Sequence, residues 1–171
     1  MGRGSKHGHE RVLSLVVVAA VGEEPANRSF EQELAQLPVT DFSALDLRLW
    51  IGGHIFGALV LQLLRIRTTI RRLKVVVVNW LGSCSSENCH CDQLGSWRNE
   101  HISLPYLEVV EFEGFHGADH EVDFLKLLFR SAPMLKGMTI KQTDLMPPNK
   151  KGCQELGSIF EANASVKCIW V

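Results

Sequence analysis

Leu45-Asp46-Leu47-Arg48-Leu49 is an apolar run that alternates with period two. The same shape returns as Leu73-Lys74-Val75-Val76-Val77, Leu107-Glu108-Val109-Val110, Leu135-Lys136-Gly137-Met138-Thr139-Ile140 and Val166-Lys167-Cys168-Ile169-Trp170. Leu13 to Val18 is a sixth candidate. From Leu15 through Leu45, Leu73, Leu107, Leu135 and Val166 the spacings are 30, 28, 34, 28 and 31 residues. Alternation and β-branched content predict a strand at each.

The intervals carry helical patterns. Ile55, Phe56, Leu59, Val60, Leu63 and Leu64 share one helical face. Val122, Leu125, Leu128, Phe129 and Ala132 do the same, and Pro133 stops that helix. Cys153, Leu156, Ile159 and Phe160 line a third. Ser29-Phe30-Glu31-Gln32 reads as a capping box opening a helix in the first interval. The interval from Gly82 to Ser103 is polar, rich in Cys, Ser and Asn, and without helical period, so it reads as a loop.

A strand–helix unit repeated about every 30 residues suits two architectures, a doubly wound α/β sheet or a leucine-rich-repeat solenoid. Near-constant spacing favours the solenoid. So does the lack of a Gly-rich phosphate loop after any strand; Gly52-Gly53 has neither the glycine spacing nor a following Lys-Ser/Thr pair and reads as a turn. The expected fold is therefore α/β, with about six parallel strands on the concave face and helices outside. The last strand and the N-terminal end lack covering repeats, which predicts exposed edges, marginal stability and self-association.

The chain has 171 residues, 46% hydrophobic and 22% charged, which excludes a disordered or fibrous protein. Eighteen Lys and Arg stand against nineteen Asp and Glu, for a net charge of -1. A protein that coats nucleic acid carries a basic excess, so nucleic acid is not the expected partner. The runs Val12 to Val21 and Ile55 to Leu64 are ten residues each, well short of the ~18–20 that span a bilayer. The first follows Arg3, Lys6 and Arg11 and mimics a signal peptide, but the repeat spacing makes it a buried strand. The start Met1-Gly2-Arg3-Gly4-Ser5 fails as a myristoylation signal because its Ser comes one position early. Five cysteines, an odd and low count, fit reduced thiols in the cytosol or nucleus rather than a secreted disulfide scaffold. Residues 1–10 read as a disordered tail.

Cys84, Cys89, His90 and Cys91 offer thiolate and imidazole ligands suited to zinc. Their C-x4-C-x-C spacing is not that of a zinc ribbon, and adjacent Cys89, His90 and Cys91 do not easily face one ion. Cys84, Cys89 and Cys91 are therefore weak metal candidates. His116-Gly117-Ala118-Asp119-His120 has the outline of a metalloprotease motif. Gly117 breaks the helix that motif needs, and Asp119 serves better as a helix N-cap, with Glu121 in the first turn. Arg65, Arg67, Arg71, Arg72 and Lys74 form a basic run. Glu108, Glu111, Glu113, Asp119, Glu121 and Asp123 form an acidic one in the adjacent repeat, so partial mutual pairing is expected. No catalytic triad, paired carboxylates or cofactor fingerprint is legible. The expectation is a protein without enzymatic activity and without a cofactor.

The stretch Ser103-Leu104-Pro105-Tyr106-Leu107-Glu108-Val109-Val110-Glu111-Phe112-Glu113-Gly114-Phe115 resembles the opening of the FBD domain of plant F-box/leucine-rich-repeat proteins. The run from Gly117 to Lys136, with its Ala132-Pro133-Met134-Leu135-Lys136 close, resembles that family's helix. Gly152-Cys153 and Ile159-Phe160-Glu161-Ala162-Asn163-Ala164-Ser165-Val166 also fit. The resemblance divides the chain into leucine-rich repeats over 11–103, with a Cys-containing loop at 82–103, and an FBD domain over 104–171. Phe42-Ser43-Ala44-Leu45, Gly53-His54-Ile55-Phe56-Gly57-Ala58-Leu59 and Arg71-Arg72-Leu73-Lys74-Val75 look like the last repeats of such proteins. Family members begin with an F-box that binds the Skp adaptor of a cullin ubiquitin ligase. Residues 1–30 carry no such pattern, and the chain looks like the C-terminal part of a family member.

The resemblance implies a protein-interaction module, similar to the substrate-recognition part of an SCF-type ubiquitin ligase. Its partner would be a protein substrate, with the Skp adaptor and cullin implied by the family alone. Alternation makes Asp46, Arg48, Lys74, Val76, Glu108, Lys136 and Lys167 the outward strand residues and so the candidate protein contacts. The alternatives are a truncated remnant, regulatory or without function, and a zinc-stabilised binding protein that uses the Cys84–Cys91 loop.

Overall fold

The computed structural model describes residues 10–18, 36, 42–50, 55–78, 97–143 and 147–171. The expected capping box at Ser29–Gln32 and the Cys84–Cys91 loop lie outside them. The described elements are β1 (Val12–Val18), β2 (Ala44–Trp50), α1 (Ile55–Ile66), β3 (Arg72–Val77), a short 3-10 turn (Trp97–Asn99), β4 (Val109–Phe115), α2 (Asp119–Ser131), β5 (Gly137–Gln142), α3 (Lys150–Ala162) and β6 (Lys167–Trp170). The six strands form one sheet in sequential order, every adjacent pair parallel. Among the described strands the order never reverses, whereas the ligand crevice of a doubly wound fold forms where it does. None of the described helices is long and apolar enough to cross a membrane. The run that mimics a signal peptide contributes β1 over Val12–Val18, paired residue for residue with β2. It is not the buried strand expected: its residues alternate between exposed and half-buried because it is an edge strand, with a neighbour on one side alone among the described strands.

Period-two alternation sorts the strand residues between the two faces. Leu13, Leu45, Leu73, Val110, Met138 and Cys168 share one cross-strand row, and Leu15, Leu47, Val75, Phe112, Ile140 and Trp170 another. From β2 to β5 both rows are buried. Val60, Leu61, Leu63 and Leu64 of α1, Val122, Leu125 and Leu128 of α2, and Leu156 and Ile159 of α3 join them in one core. The three described helices thus cover the same face. Phe112 lies edge-on to Phe115, with centroids 6.1 Å apart, and tilted against Phe124 at 6.4 Å. Such contacts add to the large area these rings bury.

Two strands begin later than the alternation suggested. The segment at Leu107 becomes a strand only at Val109, and the one at Leu135 only at Gly137. Leu107 and Leu135 are buried, but each closes a turn, donating its N–H to Leu104 and to Ala132. Their leucines seal the core just ahead of the strand, so alternation in β4 runs from Val110, not from Leu107. The N-cap of α2 is also corrected. Ala118 occupies the N-cap position without a side-chain cap and Asp119 is the first helical residue; the Glu121 carboxylate, at the third helical position, reaches back to accept the Ala118 N–H. The long polar interval ends with a residue fixed in the core. Trp97 is 3% exposed and packs on Phe124 at 6.5 Å.

Candidate interaction surface

The face opposite the helices carries polar and charged rows. Ser14, Asp46, Lys74, Glu111, Thr139 and Ile169 form one, and Val16, Arg48, Val76, Glu113 and Lys141 the next. Lysine, glutamate and lysine therefore alternate across β3, β4 and β5. Lys74 Nζ lies 2.9 Å from Glu113 and 3.6 Å from Glu111. Lys141 Nζ lies 2.5 Å from Glu111 and 2.8 Å from Glu113. Two cations and two carboxylates thus close a four-membered network, which holds better than an isolated surface pair. Hydrogen bonds from Lys141 and then Lys74 pull the Glu113 carboxyl down to about 2. The Lys141 ammonium is pushed far above the ordinary lysine value by Glu111 and Glu113, and Lys74 is raised chiefly by its hydrogen bond to Glu113.

A second charged cluster sits at the rim where the strands begin. Glu108 accepts from Arg71 at 2.6 Å and from Lys136 at 3.0 Å. The hydrogen bond from Arg71, then that from Lys136, lowers its carboxyl. The backbone follows the same line, with the Glu108 N–H on the Arg71 carbonyl and the Lys136 N–H on the Glu108 carbonyl.

The contacts expected from sequence fall into three places. Asp46, Arg48, Lys74 and Val76 point from β2 and β3 onto the helix-free face. Lys167 opens β6 and is exposed. Glu108 and Lys136 are not outward strand residues, because each precedes its strand by one position and belongs to the rim. The residues that do face outward from β4 and β5, Glu111, Glu113 and Lys141, were missed. Counting alternation from Val110 instead of Leu107 finds Glu111 and Glu113, and counting from Met138 instead of Leu135 finds Lys141.

The chemistry-bearing residues elsewhere are dispersed. His116 precedes α2 and His120 lies in its first turn, so they do not share a helical face; burial lowers the His116 imidazole. The Cys153 thiol is raised by burial and then by Glu121, and the Cys168 thiol by burial, which disfavours the reactive thiolate. Among the described residues no group of three or more His, Cys, Asp or Glu is placed to hold a metal ion.

No curated protein and no solved structure matches the chain. Residues 104–140 match the model of the FBD family, a stretch that runs from buried Leu104 through β4 and α2 to Ile140 of β5, and so includes Glu108, Glu111, Glu113 and Lys136.

Proposed function

We propose that the chain is a protein-interaction module whose helix-free sheet face receives a protein partner, in the manner of the substrate-recognition part of an SCF-type ubiquitin ligase. The observation that carries the reading is the one-sided architecture. Six parallel strands follow in sequential order with every described helix on one face, which leaves a broad polar face uncovered. The FBD segment supports it, since that domain is associated with F-box proteins and with protein interaction. We read the fold as a short leucine-rich-repeat solenoid, in which stacked strand–helix units present one continuous binding sheet. Chemistry would be left to partner subunits, the chain acting as a binder and not as an enzyme. The cytosol or nucleus is the proposed compartment.

The test is affinity purification of the tagged chain from plant cells after mild cross-linking, with mass spectrometry. Recovery of one specific protein, lost when the sheet face is substituted, is the expected result. Co-recovery of the Skp adaptor and cullin would couple the module to a ligase. Recovery of chaperones alone would overturn the reading.

A further inference from the structure

The helix-free face divides into two unlike halves. Over β3, β4 and β5 each charge already has partners, with Lys74 and Lys141 shared between Glu111 and Glu113. A ligand docking there must strip water from satisfied pairs, and its own charges find no open counterpart.

The other half differs. Toward the C-terminal ends of β1, β2 and β3 the same face presents Val16, Val18, Arg48, Trp50, Val76 and Val78. Arg48 stands in register between Val16 on one neighbour and Val76 on the other. Val16 is 67% and Val18 71% exposed, which is unusual for valines on a strand. Among the described residues no carboxylate pairs with Arg48. The next acid along its row, Glu113, lies beyond Val76 and is held by two lysines. Beside Val76 and Val78, on the boundary with the charged half, a depression of about 310 Å³ continues toward Gly114 and Gln142, with Glu113 and Lys141 on its far wall. At its edge Gly114, with φ at +86°, lets the β4 backbone pass close to β3, since a Cβ there would stand 2.2 Å from the Val77 carbonyl oxygen.

We infer that this half of the face is the docking surface, and that its partner is a protein segment presenting one carboxylate flanked by aliphatic side chains. The inference rests on the reading of the chain as an interaction module and adds the chemistry of what it binds. The valines supply apolar area to be covered. Covering them also takes Arg48 out of water, which is costly unless the partner brings an acid to that point. A carboxylate is thereby selected, and a neutral or basic segment is rejected by the same desolvation. The depression beside Val76 takes one flanking side chain. A phosphate-rich partner would need several free cations, and this half offers one among valines.

The test uses a phage-displayed library of random peptides selected on the whole chain, followed by synthesis of the enriched sequence. Selected peptides should carry Asp or Glu between aliphatic residues. Arg48→Glu should weaken the synthetic peptide by about tenfold or more, as for loss of a charge-assisted contact, and Val16→Ser should weaken it less. Lys150→Glu, on the helix side, should leave affinity unchanged. Replacing the peptide's acid by its amide should reproduce the Arg48→Glu loss. Melting curves of each variant separate lost binding from lost folding. Enriched peptides without an acid, or binding indifferent to Arg48→Glu, would overturn the inference while leaving the interaction reading intact. So would a concentration-dependent dimer abolished by Arg48→Glu, which would make a second copy the occupant. No enriched peptide, together with no specific protein in the cross-linked purification, would overturn both.

Discussion

Glu121 caps α2 from inside the core: its Oε2 accepts the Ala118 N–H at 3.0 Å and, beyond it, the His116 N–H at 2.9 Å. The residue is 1% exposed, and its other oxygen, Oε1, has no hydrogen-bond partner. The loop it holds also seats the next helix, since the Asn149 N–H donates to the His116 carbonyl at 2.8 Å. One buried carboxyl thus joins the starts of α2 and α3.

Burial dominates that carboxyl. Desolvation is the largest influence and outweighs the backbone N–H donors of His116, Ala118 and Gly117, which favour the ionised form, so the group rises from 4.5 to about 7. A carboxyl raised in the folded state stabilises the fold fully below the unfolded value, and this is lost as pH climbs through the folded one. Stability should therefore fall between about pH 4.5 and 7, by no more than about 3 kcal/mol from this residue. Glu121→Gln keeps an acceptor for Ala118 and cannot ionise. Urea unfolding at pH 5 and pH 8 should show the variant close to the parent at the lower pH and more stable at the higher. Identical pH dependence in both proteins would refute the assignment.

The Glu111, Glu113, Lys74 and Lys141 network makes the opposite pH prediction. Glu113 at about 2 lies below the ordinary 4.5, so its contribution is present above 4.5 and lost as pH falls toward 2. The side chains are 27–43% exposed, and salt weakens them. In a carboxyl-detected NMR titration Glu113 should be the low titrator. Lys141→Gln should return it toward 4.5, and molar salt should move it the same way. A Glu113 that titrates normally in the parent would contradict the network.

Trp97 depends on Gly57. A Cβ on Gly57 would lie 2.5 Å from the Trp97 ring, and both residues are buried. Gly57→Ala should expel the indole or push α1 outward, at a cost of about 1–3 kcal/mol, the range for overpacked cores. Chemical denaturation measures that loss. A double variant, Gly57→Ala with Trp97→Phe, should recover part of it because the smaller ring clears the methyl group. No recovery would mean that the strain lies elsewhere.

The parts of the fold legible in sequence were those fixed by local period. Leu45, Leu47 and Leu49 alternate, so their strand and its buried face follow directly. Val122, Leu125 and Leu128 are spaced at helical intervals, and α2 buries that stripe. What was not legible depends on where a period starts. Leu107 and Val110 are both buried, three residues apart, and nothing local says that a turn separates them. That single phase error put Glu108 on the sheet face and left Glu111 and Glu113 off it. The burial of Trp97 was hidden for a related reason, since a polar, aperiodic loop gives no sign of which residue returns to the core. The Glu121 cap was masked by Asp119, a better N-cap on preference alone, because an acceptor from N3 is chosen by the tertiary site.

The seating of α3 gives the sharpest local test. A Cβ on Gly152 would lie 1.9 Å from the Gly117 carbonyl oxygen, so the helix start and the loop before α2 meet backbone to backbone. Asn149 fixes the same turn, accepting the N–H groups of Lys151 at 3.0 Å and Gly152 at 3.3 Å. Gly152→Ala must therefore lift the start of α3 off the loop, whereas Asn149→Ala removes only the cap, at about 1 kcal/mol. Beyond this contact α3 is held by Leu156 and Ile159 in the core, by the Lys126–Glu155 ion pair and by Phe129 against Phe160 at 6.4 Å. Those contacts are few, so α3 and β6 should open as a unit while β2 to β4 stay closed. Hydrogen exchange should show early loss of protection at Leu156, Ile159 and Ile169 in Gly152→Ala, a smaller loss in Asn149→Ala, and little change at Leu47 or Val75. Uniform loss across all six strands would mean that the sheet unfolds as one cooperative block and that the α3 contact is not a separable joint.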